Sequence, residues 1–429
     1  MLDLQRIREN PDAIKLAAEN KKNPVAIDEL IKLDTARREI IKEVEELKSL
    51  RNKKSPQIAA LKKSGKDADA AALMEEMKTV SDKTRELDLR QAAIEKDMHE
   101  ILVRIPNVPH ESVPHGKSSD DNVEVYVCGE QKTFDFKPKD HLQLGASLDI
   151  IDFARGAKVT GAGFPVYKGL GALLERALIN FMLDTHSRLN GYTEIFPPFL
   201  VNEDSLFGTG QLPKSREQMY YIGEDNLFCV PTAEVPVTNL HRDEVFEARK
   251  LPFGYCAYSA CFRREAGSYG KDTKGFLRVH QFNKVELVKY VVPETSYDEL
   301  EKLRGHAEGI LKSLGLCYRV LALCDADLSF AAAKCYDLEA WAPGEQKYLE
   351  VSSCSNFEDF QARRMNIKFR PKPGDKPIFV HTLNGSGLAT ARILVAVLET
   401  YQTVRGTVMI PEVLQPYMHG IKEIRPAAD

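Results

Sequence analysis

The feature that most constrains the fold is a long stretch of heptad-spaced apolar residues in the first quarter of the chain. Only two helix breakers, Pro56 and Gly65, stand between Ala26 and Ile105. On both sides of them, apolar residues recur at gaps of three, four and seven, the period of a seam between two packed helices. They are Leu30, Leu33, Ile40, Val44, Leu47, Leu73, Met77, Val80, Leu87, Ile94, Met98 and Ile101. The pattern predicts an antiparallel helical hairpin with limbs about 50 Å long.

Prolines mark where the limbs of this hairpin are interrupted. Three prolines between residues 106 and 114 cannot continue a helix, so the second limb ends near Ile105. Pro56 falls within the first limb. We expect the first limb to kink near Ser55 and to start a fresh helical turn at Pro56.

Charge is uneven along the hairpin. Residues 1–105 carry 22 lysines and arginines against 21 acids, whereas residues 51–66 carry six positive charges and no acid. Two interpretations of this basic tip stay open. It is either a solvated hairpin end or a surface that contacts phosphates, whose binding would weaken with salt.

Composition excludes several classes of protein. A chain of 429 residues is expected to form more than one domain, and its net charge of −4 gives no global basic field. The N-terminus is charged from residue 3, so no signal peptide is expected. No apolar run reaches the roughly 18 residues of a membrane helix. Eight cysteines without a C-x-x-C pair indicate reduced thiols in a cytoplasmic protein, with no disulfide framework and no zinc site.

After the hairpin, the sequence changes to a mixture of helices and strands. Residues 171–190 have helical spacing, a strand over 191–201 is interrupted by two prolines, and another helix follows Gly387. Further strand-like runs lie at 227–230, 255–262, 282–292, 318–324, 335–341 and 348–352. Adjacent strands with helices set apart predict an α+β body on a mostly antiparallel sheet flanked by helices. We therefore divide the chain into a helical arm, 1–108, and a body, 109–429.

The segment 261–282, CFRREAGSYGKDTKGFLRVHQF, places positive charge and glycines between two strands. The planar fork of an arginine suits phosphate because it makes paired, charge-assisted hydrogen bonds. Phe282 can lie flat against a base. The glycines predict a loop that moves between an open state and one closed over a ligand. An exposed hairpin with solvated charges is the competing interpretation.

Other segments carry polar groups in apolar surroundings. Arg392 lies in a helix of apolar residues, where a lone buried charge is costly, so it pairs with a carboxylate or faces an anionic ligand. Glu350, followed closely by serine hydroxyls, suits Mg²⁺, a cation that prefers oxygen ligands. Glu234 and Glu286 together can hold an ammonium group. For each of these residues, a structural ion pair is the competing account.

These segments closely resemble class II aminoacyl-tRNA synthetases and, among them, the bacterial-type seryl-tRNA synthetases. The class has three motifs, which match residues 171–201 with the proline Pro198, residues 261–287 with an F-R-x-E start, and residues 384–399 with one arginine. Strings typical of the family are GTGQLPK (208–214), PTAEVPVTN (231–239), SSCSNFEDFQARRM (352–365), HTLNGSGLA (381–389) and PEVLQPYM (411–418). The resemblance covers essentially the whole chain, because the helical hairpin is also the family's tRNA-binding arm.

The resemblance implies a role for each matching residue. Serine contacts are implied for Thr232, Ala233, Glu234, Glu286, Asn384 and Ser386. ATP contacts are implied for Arg263, Arg264, Glu265, Arg278, Val279, Phe282, Glu350, Val351, Ser352, Ser353 and Arg392. The catalytic groups would be Arg263, Glu350 and Arg392, and the Mg²⁺ ligands would be Glu350 and Ser353. Arg264 replaces the serine that the family most often has at its position.

The activity that the resemblance implies is ATP-dependent attachment of L-serine to tRNA(Ser) through a seryl-adenylate, with Mg²⁺. It leaves open whether tRNA(Sec) is also charged. A cytoplasmic homodimer without a membrane segment is implied as well.

Two alternative functions remain. An amino-acid-activating paralogue that loads a carrier protein would have no need of the basic-tipped arm. A coiled-coil RNA-binding scaffold with an inactive body would have no need of the retained Arg263, Glu286, Glu350 and Arg392.

Overall fold

The computed structural model describes residues 1–266 and 274–426. The chain forms two compact units, of which one spans Leu2–Ile105 and the other holds the chain from Pro106 onward together with Met1. The predicted movement of the glycine-containing loop falls on residues 267–273, which lie outside the described residues.

The first unit is a helical hairpin. Its elements are α1 (Leu4–Glu9), α2 (Pro11–Asn20), α3 (Ile27–Lys63) and α4 (Asp67–Leu102). Helices α3 and α4 pack along the heptad seam, where Ile40, Val44 and Leu87 form a buried cluster. Gly65 lies in the turn between them with a φ of +71°, a conformation that glycine adopts without steric cost. The predicted hairpin is therefore confirmed.

The expected restart of the first limb at Pro56 is wrong. Helix α3 continues through Pro56 and ends only at Lys63. The Ser55 hydroxyl donates a hydrogen bond to the carbonyl oxygen of Arg51 over 2.8 Å. A proline removes one backbone donor from the helical ladder. Because α3 packs against α4, this long helix accommodates that loss.

The second unit is an α+β body. Its helices are α5 (His141–Ser147), α6 (Phe153–Val159), α7 (Leu170–Arg188), α8 (Glu203–Thr209), α9 (Glu234–Asn239), α10 (Ser296–Ser313), α11 (Phe360–Met365) and α12 (Thr390–Thr400). Its strands are β1 (Val123–Cys128), β2 (Ile151–Asp152), β3 (Val166–Tyr167), β4 (Thr193–Ile195), β5 (Leu200–Val201), β6 (Tyr221–Ile222), β7 (Leu227–Cys229), β8 (Val245–Glu247), β9 (Phe253–Phe262), β10 (Gln281–Val291), β11 (Tyr318–Ala322), β12 (Lys334–Ala342), β13 (Lys347–Asn356), β14 (Lys368–Arg370), β15 (Ile378–Phe379), β16 (His381–Ala389), β17 (Val408–Met409) and β18 (Glu423–Ile424). Among the helices of the described residues, none is long and apolar enough to span a membrane.

Eight strands form the main sheet, in the order β1-β11-β12-β13-β16-β10-β9-β4. The pairing is antiparallel throughout except between β4 and β9. The predicted mostly antiparallel sheet is thus confirmed, and the five longest predicted runs appear in it as β9 to β13. The predicted run at 227–230 is β7, which pairs with β5 and β6 in a small separate sheet. The prolines at 197 and 198 separate β4 from β5, as expected.

Helices α7, α10 and α12 pack against the main sheet in one hydrophobic core. Leu178, Leu303 and Leu394 contribute to this core from the helices. Val285 of β10 belongs to the same core, and its neighbour Glu286 does not. Because side chains alternate along a strand, Glu286 points to the opposite face of the sheet. That face carries the polar groups described next.

Candidate active site

The polar face of the main sheet lines a cavity of about 770 Å³. Its walls bring together residues of β10, β12, β13, β16 and α12 that are far apart in the sequence. The predicted site residues that line it are Thr232, Glu234, Arg263, Glu265, Arg278, Val279, Phe282, Glu286, Glu350, Val351, Ser352, Ser353, Asn384, Ser386 and Arg392.

Two of the predicted residues lie off this lining. Ala233 is buried in a separate hydrophobic cluster with Val237 and Phe246. Arg264 is exposed, and its backbone N–H donates to the carbonyl oxygen of Gln218 over 2.9 Å. The ligand contacts predicted for Ala233 and Arg264 therefore stay predictions, since neither side chain lines the cavity.

Arg263 and Phe282 form one surface of the cavity. The guanidinium carbon of Arg263, just after β9, lies 5.2 Å from the centroid of the Phe282 ring. A cation over an aromatic face is attracted by the ring quadrupole. The Arg263 Nε also lies 3.4 Å from the carbonyl oxygen of Pro231. This pair offers a flat, positively charged surface to an anionic ligand.

Arg278 faces the same cavity and is paired internally. Its Nη1 donates to the Glu265 Oε2 over 2.7 Å. Glu265 has a φ of +50°, which is uncommon for a residue other than glycine. Arg278 is therefore neither a solvated hairpin charge, as the competing interpretation of its segment had it, nor a free phosphate-binding group, because it is paired with Glu265.

Arg392 extends from α12 to Glu350 in β13. Its Nη1 donates to the backbone oxygen of Glu350 over 2.9 Å and lies 3.3 Å from the Glu350 Oε2. Its Nε lies 3.4 Å from the carbonyl oxygen of Leu277. The side chain of Arg392 is 29% exposed, so it pairs with a carboxylate while it still faces the cavity.

Asp337 adds a half-buried carboxyl group to this wall. In the register of β12 and β13 it lies directly opposite Ser353, whose hydroxyl donates to the Asp337 Oδ1. Burial, and then the charge of Glu350, raise the pKa of Asp337 well above its ordinary value. Two carboxyl groups and a hydroxyl crowded together provide the oxygen donors that Mg²⁺ prefers.

The cavity lining also holds a second polar cluster, around Glu286. The Thr232 hydroxyl donates to the Glu286 Oε2 over 3.1 Å, and the Asn384 Nδ2 donates to the Glu286 Oε1 over 2.8 Å. Ser386 lies opposite Glu286 in the register of β10 and β16. These groups surround a fully buried carboxylate with short polar side chains.

Glu234 is the second acid of this cluster. The Gln361 Nε2 donates to the Glu234 Oε1 over 2.7 Å, and the Thr382 hydroxyl donates to the Gln361 Oε1 over 2.7 Å. Burial, and then the charge of Glu286, raise the pKa of Glu234 to about 7. Near neutral pH, the ionisation of Glu234 therefore depends on whether a cation lies close to its carboxyl group.

Sequence reasoning missed three residues of the cavity and its support: Asp337, Lys284 and Gln361. Lys284 stands two positions before Glu286 on the same strand, a spacing that puts both side chains on one face, and this spacing was the signal available. Asp337 likewise interrupts a run of β-forming residues. Nothing around Gln361 distinguishes it in the sequence, since its role depends on contacts with Glu234 and Thr382.

One other group of described residues is close enough to hold a metal ion. His141, Glu345 and Glu399 have potential ligand atoms within 4.8 Å of one another. The Glu399 carboxylate accepts the backbone N–H groups of His141, Gly344 and Glu345, whereas the Glu345 Oε1 has no hydrogen-bond partner among the described residues. Its residues do not line the cavity described above.

Two family models match separate parts of the chain. Residues 1–109 match the family described as the seryl-tRNA synthetase N-terminal domain. Residues 220–401 match the tRNA synthetase class II core domain (G, H, P, S and T). The antiparallel sheet, its polar cavity and these matches define a class II aminoacyl-tRNA synthetase.

Relatives that match this chain over its full length identify one family within this class. The serine–tRNA ligase of Chloroherpeton thalassium is 59% identical and covers 97% of this chain and 99% of its own. That of Carboxydothermus hydrogenoformans is 56% identical, with 99% of each chain covered. The crystal structure of seryl-tRNA synthetase from Pyrococcus horikoshii complexed with ATP is 39% identical, with a TM-score of 0.94 over 100% of both chains. The chain belongs to the seryl-tRNA synthetase family.

Proposed function

We propose that this protein attaches L-serine to tRNA(Ser) in two steps, through a seryl-adenylate made from ATP. The observation that carries the proposal is the single cavity in which an acidic, hydroxyl-rich cluster around Glu286 lies beside arginines suited to phosphate. Such an arrangement holds an amino acid and a nucleotide next to each other. Related structures were solved with nucleotides: ATP for the P. horikoshii enzyme and AMP for that of Naegleria fowleri, which is 29% identical with a TM-score of 0.88.

The amino-acid end of the cavity fits serine. Glu286 and Glu234 attract its ammonium group, and Thr232, Asn384 and Ser386 offer hydrogen bonds to its polar groups. A buried site that hydrogen-bonds a substrate hydroxyl rejects the analogue without it, because its polar groups would be left unpaired. Alanine should therefore be a poor substrate.

The nucleotide end fits ATP. Arg263 would hold the α-phosphate, Arg278 the outer phosphates and Arg392 the γ-phosphate, while Phe282 and Val279 would contact adenine. Arg278 and Arg392 are paired with Glu265 and Glu350, so ATP binding would exchange these partners for phosphate oxygens. Glu350 and Ser353 would hold Mg²⁺, and the crowding of Asp337 against them supports a cation there. Bound Mg²⁺ would neutralise phosphate charge.

The chemistry requires no nucleophile from the protein. The serine carboxylate attacks the α-phosphorus in line, and pyrophosphate leaves. The terminal ribose hydroxyl of the tRNA then attacks the seryl carbonyl, and AMP leaves. The protein contributes positioning and charge stabilisation, which account for most catalysis of phosphoryl transfer.

The remaining parts of the chain fit the same activity. The arm, taken as residues 1–108, would bind the tRNA with its basic tip, while the body, residues 109–429, would carry both reactions. We also propose a cytoplasmic homodimer joined through the α7–β4 region. Charging of tRNA(Sec) stays open.

Two assays separate this function from the alternatives. Exchange of label between pyrophosphate and ATP reports activation, and transfer of labelled serine to tRNA reports charging. We expect serine-dependent exchange together with charging. Exchange without charging would favour a carrier-loading paralogue, and the absence of exchange would favour an inactive scaffold.

A further inference from the structure

Lys284 lies inside the amino-acid end of the cavity and has no assigned role. It stands on β10 two residues before Glu286, and its side chain is only 7% exposed. Its Nζ forms an ion pair with the Glu286 Oε2 and donates to the Thr232 hydroxyl over 2.8 Å. The lysine ammonium thus contacts Glu286, one of the two acids expected to attract the ammonium of serine, and Thr232, which is expected to hydrogen-bond a polar group of serine.

Lys284 determines the direction of the Thr232 hydroxyl. A hydroxyl has one donor and two acceptor positions. The Thr232 oxygen accepts from the Lys284 Nζ over 2.8 Å and from the backbone N–H of Glu234 over 3.2 Å. Since a lysine ammonium only donates, the Thr232 proton is left for the Glu286 Oε2, 3.1 Å away.

The ionised side chains in this part of the cavity leave one negative charge, which one bound ammonium group would neutralise. Glu234 and Glu286 supply two carboxylates when ionised, and Lys284 supplies one cation among them. The remaining negative charge matches a single substrate ammonium. Arg263 also lowers the pKa of Glu234, as does Lys284, but its guanidinium lies over Phe282 at the nucleotide end.

Two thiols also lie on the strands around this cluster. Cys261 on β9 pairs with Phe282 in the register of β9 and β10, and Cys354 on β13 lies in the hydrophobic core on the other face of the sheet. Burial raises the pKa of Cys261, and it raises that of Cys354 to about 12. Neither thiol therefore adds a negative charge to the cluster near neutral pH.

We propose that Lys284 is a positioning residue and the internal counter-ion of the amino-acid site. It holds Glu286 and Thr232 in their receiving orientation and leaves one negative charge for the substrate ammonium. The inference rests on the proposed function, because it assumes that this end of the cavity binds serine.

The test is steady-state pyrophosphate exchange by the full-length Lys284→Met variant. We expect the KM for serine to rise at least about tenfold, equivalent to losing one charged interaction, while the KM for ATP changes little. Lys289→Met is the matched control, because Lys289 is on the same strand and pairs with Glu299 over 2.6 Å outside the cavity. It should leave the KM for serine near that of the wild type.

The pH dependence of kcat/KM for serine is a second measurement, which a purely structural role of Lys284 would leave unchanged. The kcat/KM for serine should fall below about pH 7 as Glu234 takes up a proton. Without Lys284, a nearby cation that lowers this pKa is lost, so the acidic limb should move to higher pH. Lys289→Met should keep the wild-type profile.

Two further variants, one of them tested by chemical rescue, keep the proposal testable if the methionine variant does not fold. Ethylammonium should restore serine-dependent exchange to Lys284→Ala in a saturable manner, and Lys284→Arg should recover part of the wild-type KM. Unchanged KM and pH profile in a folded Lys284→Met would overturn the proposal, as would tighter serine binding or the absence of rescue. If the wild type shows no serine dependence at all, the proposed function itself fails, and the two failures are distinguishable.

Discussion

Arg263 and Arg264 are adjacent arginines with different surroundings. Arg263 lines the cavity, whereas Arg264 is exposed outside its lining. We expect Arg263→Ala to lower the rate of serine-dependent exchange about 10²–10³-fold, as loss of a preorganised charge contact does. Arg264→Ala, the matched control, should change it by less than about threefold, as surface substitutions do. Equal losses in the two variants would show that the phosphate-facing arginine was misassigned.

Glu175 of α7 is a buried carboxyl group outside the cavity lining. Its Oε1 accepts from the Thr390 hydroxyl and from the Asn283 Nδ2, 2.8 Å away, while its Oε2 is buried without a hydrogen-bond partner among the described residues. Burial raises the pKa of Glu175 from 4.5 to about 7. The folded protein therefore keeps this proton to a higher pH than the unfolded chain does.

This raised pKa predicts a loss of stability with rising pH. The contribution of Glu175 is full below pH 4.5, where both states are protonated, and is lost as pH rises to about 7. The slope in that window is about 1.4 kcal/mol per pH unit. Thermal melts between pH 5 and 8 should show a weaker pH dependence for Glu175→Gln than for the wild type. Parallel curves for the two proteins would contradict the raised pKa.

Single residues of the site were predictable where they contrast with their neighbours. Glu286 in an apolar strand and Arg392 in an apolar helix both stood out, and both line the cavity. Asp337 was missed because its importance comes from strand pairing, which places it opposite Ser353. The internal pairing of Arg278 with Glu265 could not be predicted either, since it depends on how the chain turns at Glu265.

The helical arm is the element whose function can be removed separately. It forms a compact unit, Leu2–Ile105, and the residues of the cavity all belong to the other unit. Deletion of residues 30–100 should leave serine-dependent exchange largely intact and abolish charging of tRNA. A folded deletion protein without exchange would show that activation also depends on the arm.

Elements were predictable where their periodicity was strong. The heptad seam located α3 and α4, and β-forming runs located β9 to β13. The helix break predicted at Pro56 was wrong because a rule about single residues does not include the packing of α3 against α4. Helix α10, Ser296–Ser313, was not predicted because charged residues interrupt its apolar pattern. Strand β1, Val123–Cys128, was not predicted because it pairs only at the edge of the sheet.

At the scale of the whole molecule, a homodimer is expected. The interface proposed for it is formed by α7 and β4, the helix and strand that match the first motif of the class. Sedimentation velocity at micromolar concentration should give a species of twice the 48.2 kDa chain mass. A monomer under these conditions would contradict the expectation.

The central claim is that one cavity activates serine with ATP. The most direct measurement is the amino-acid dependence of pyrophosphate exchange by the full-length protein. We predict robust exchange with serine and a kcat/KM about 10⁴-fold lower with alanine, because the polar groups around Glu286 would lack the substrate hydroxyl. Exchange that is independent of serine, or equal with alanine and serine, would contradict the account.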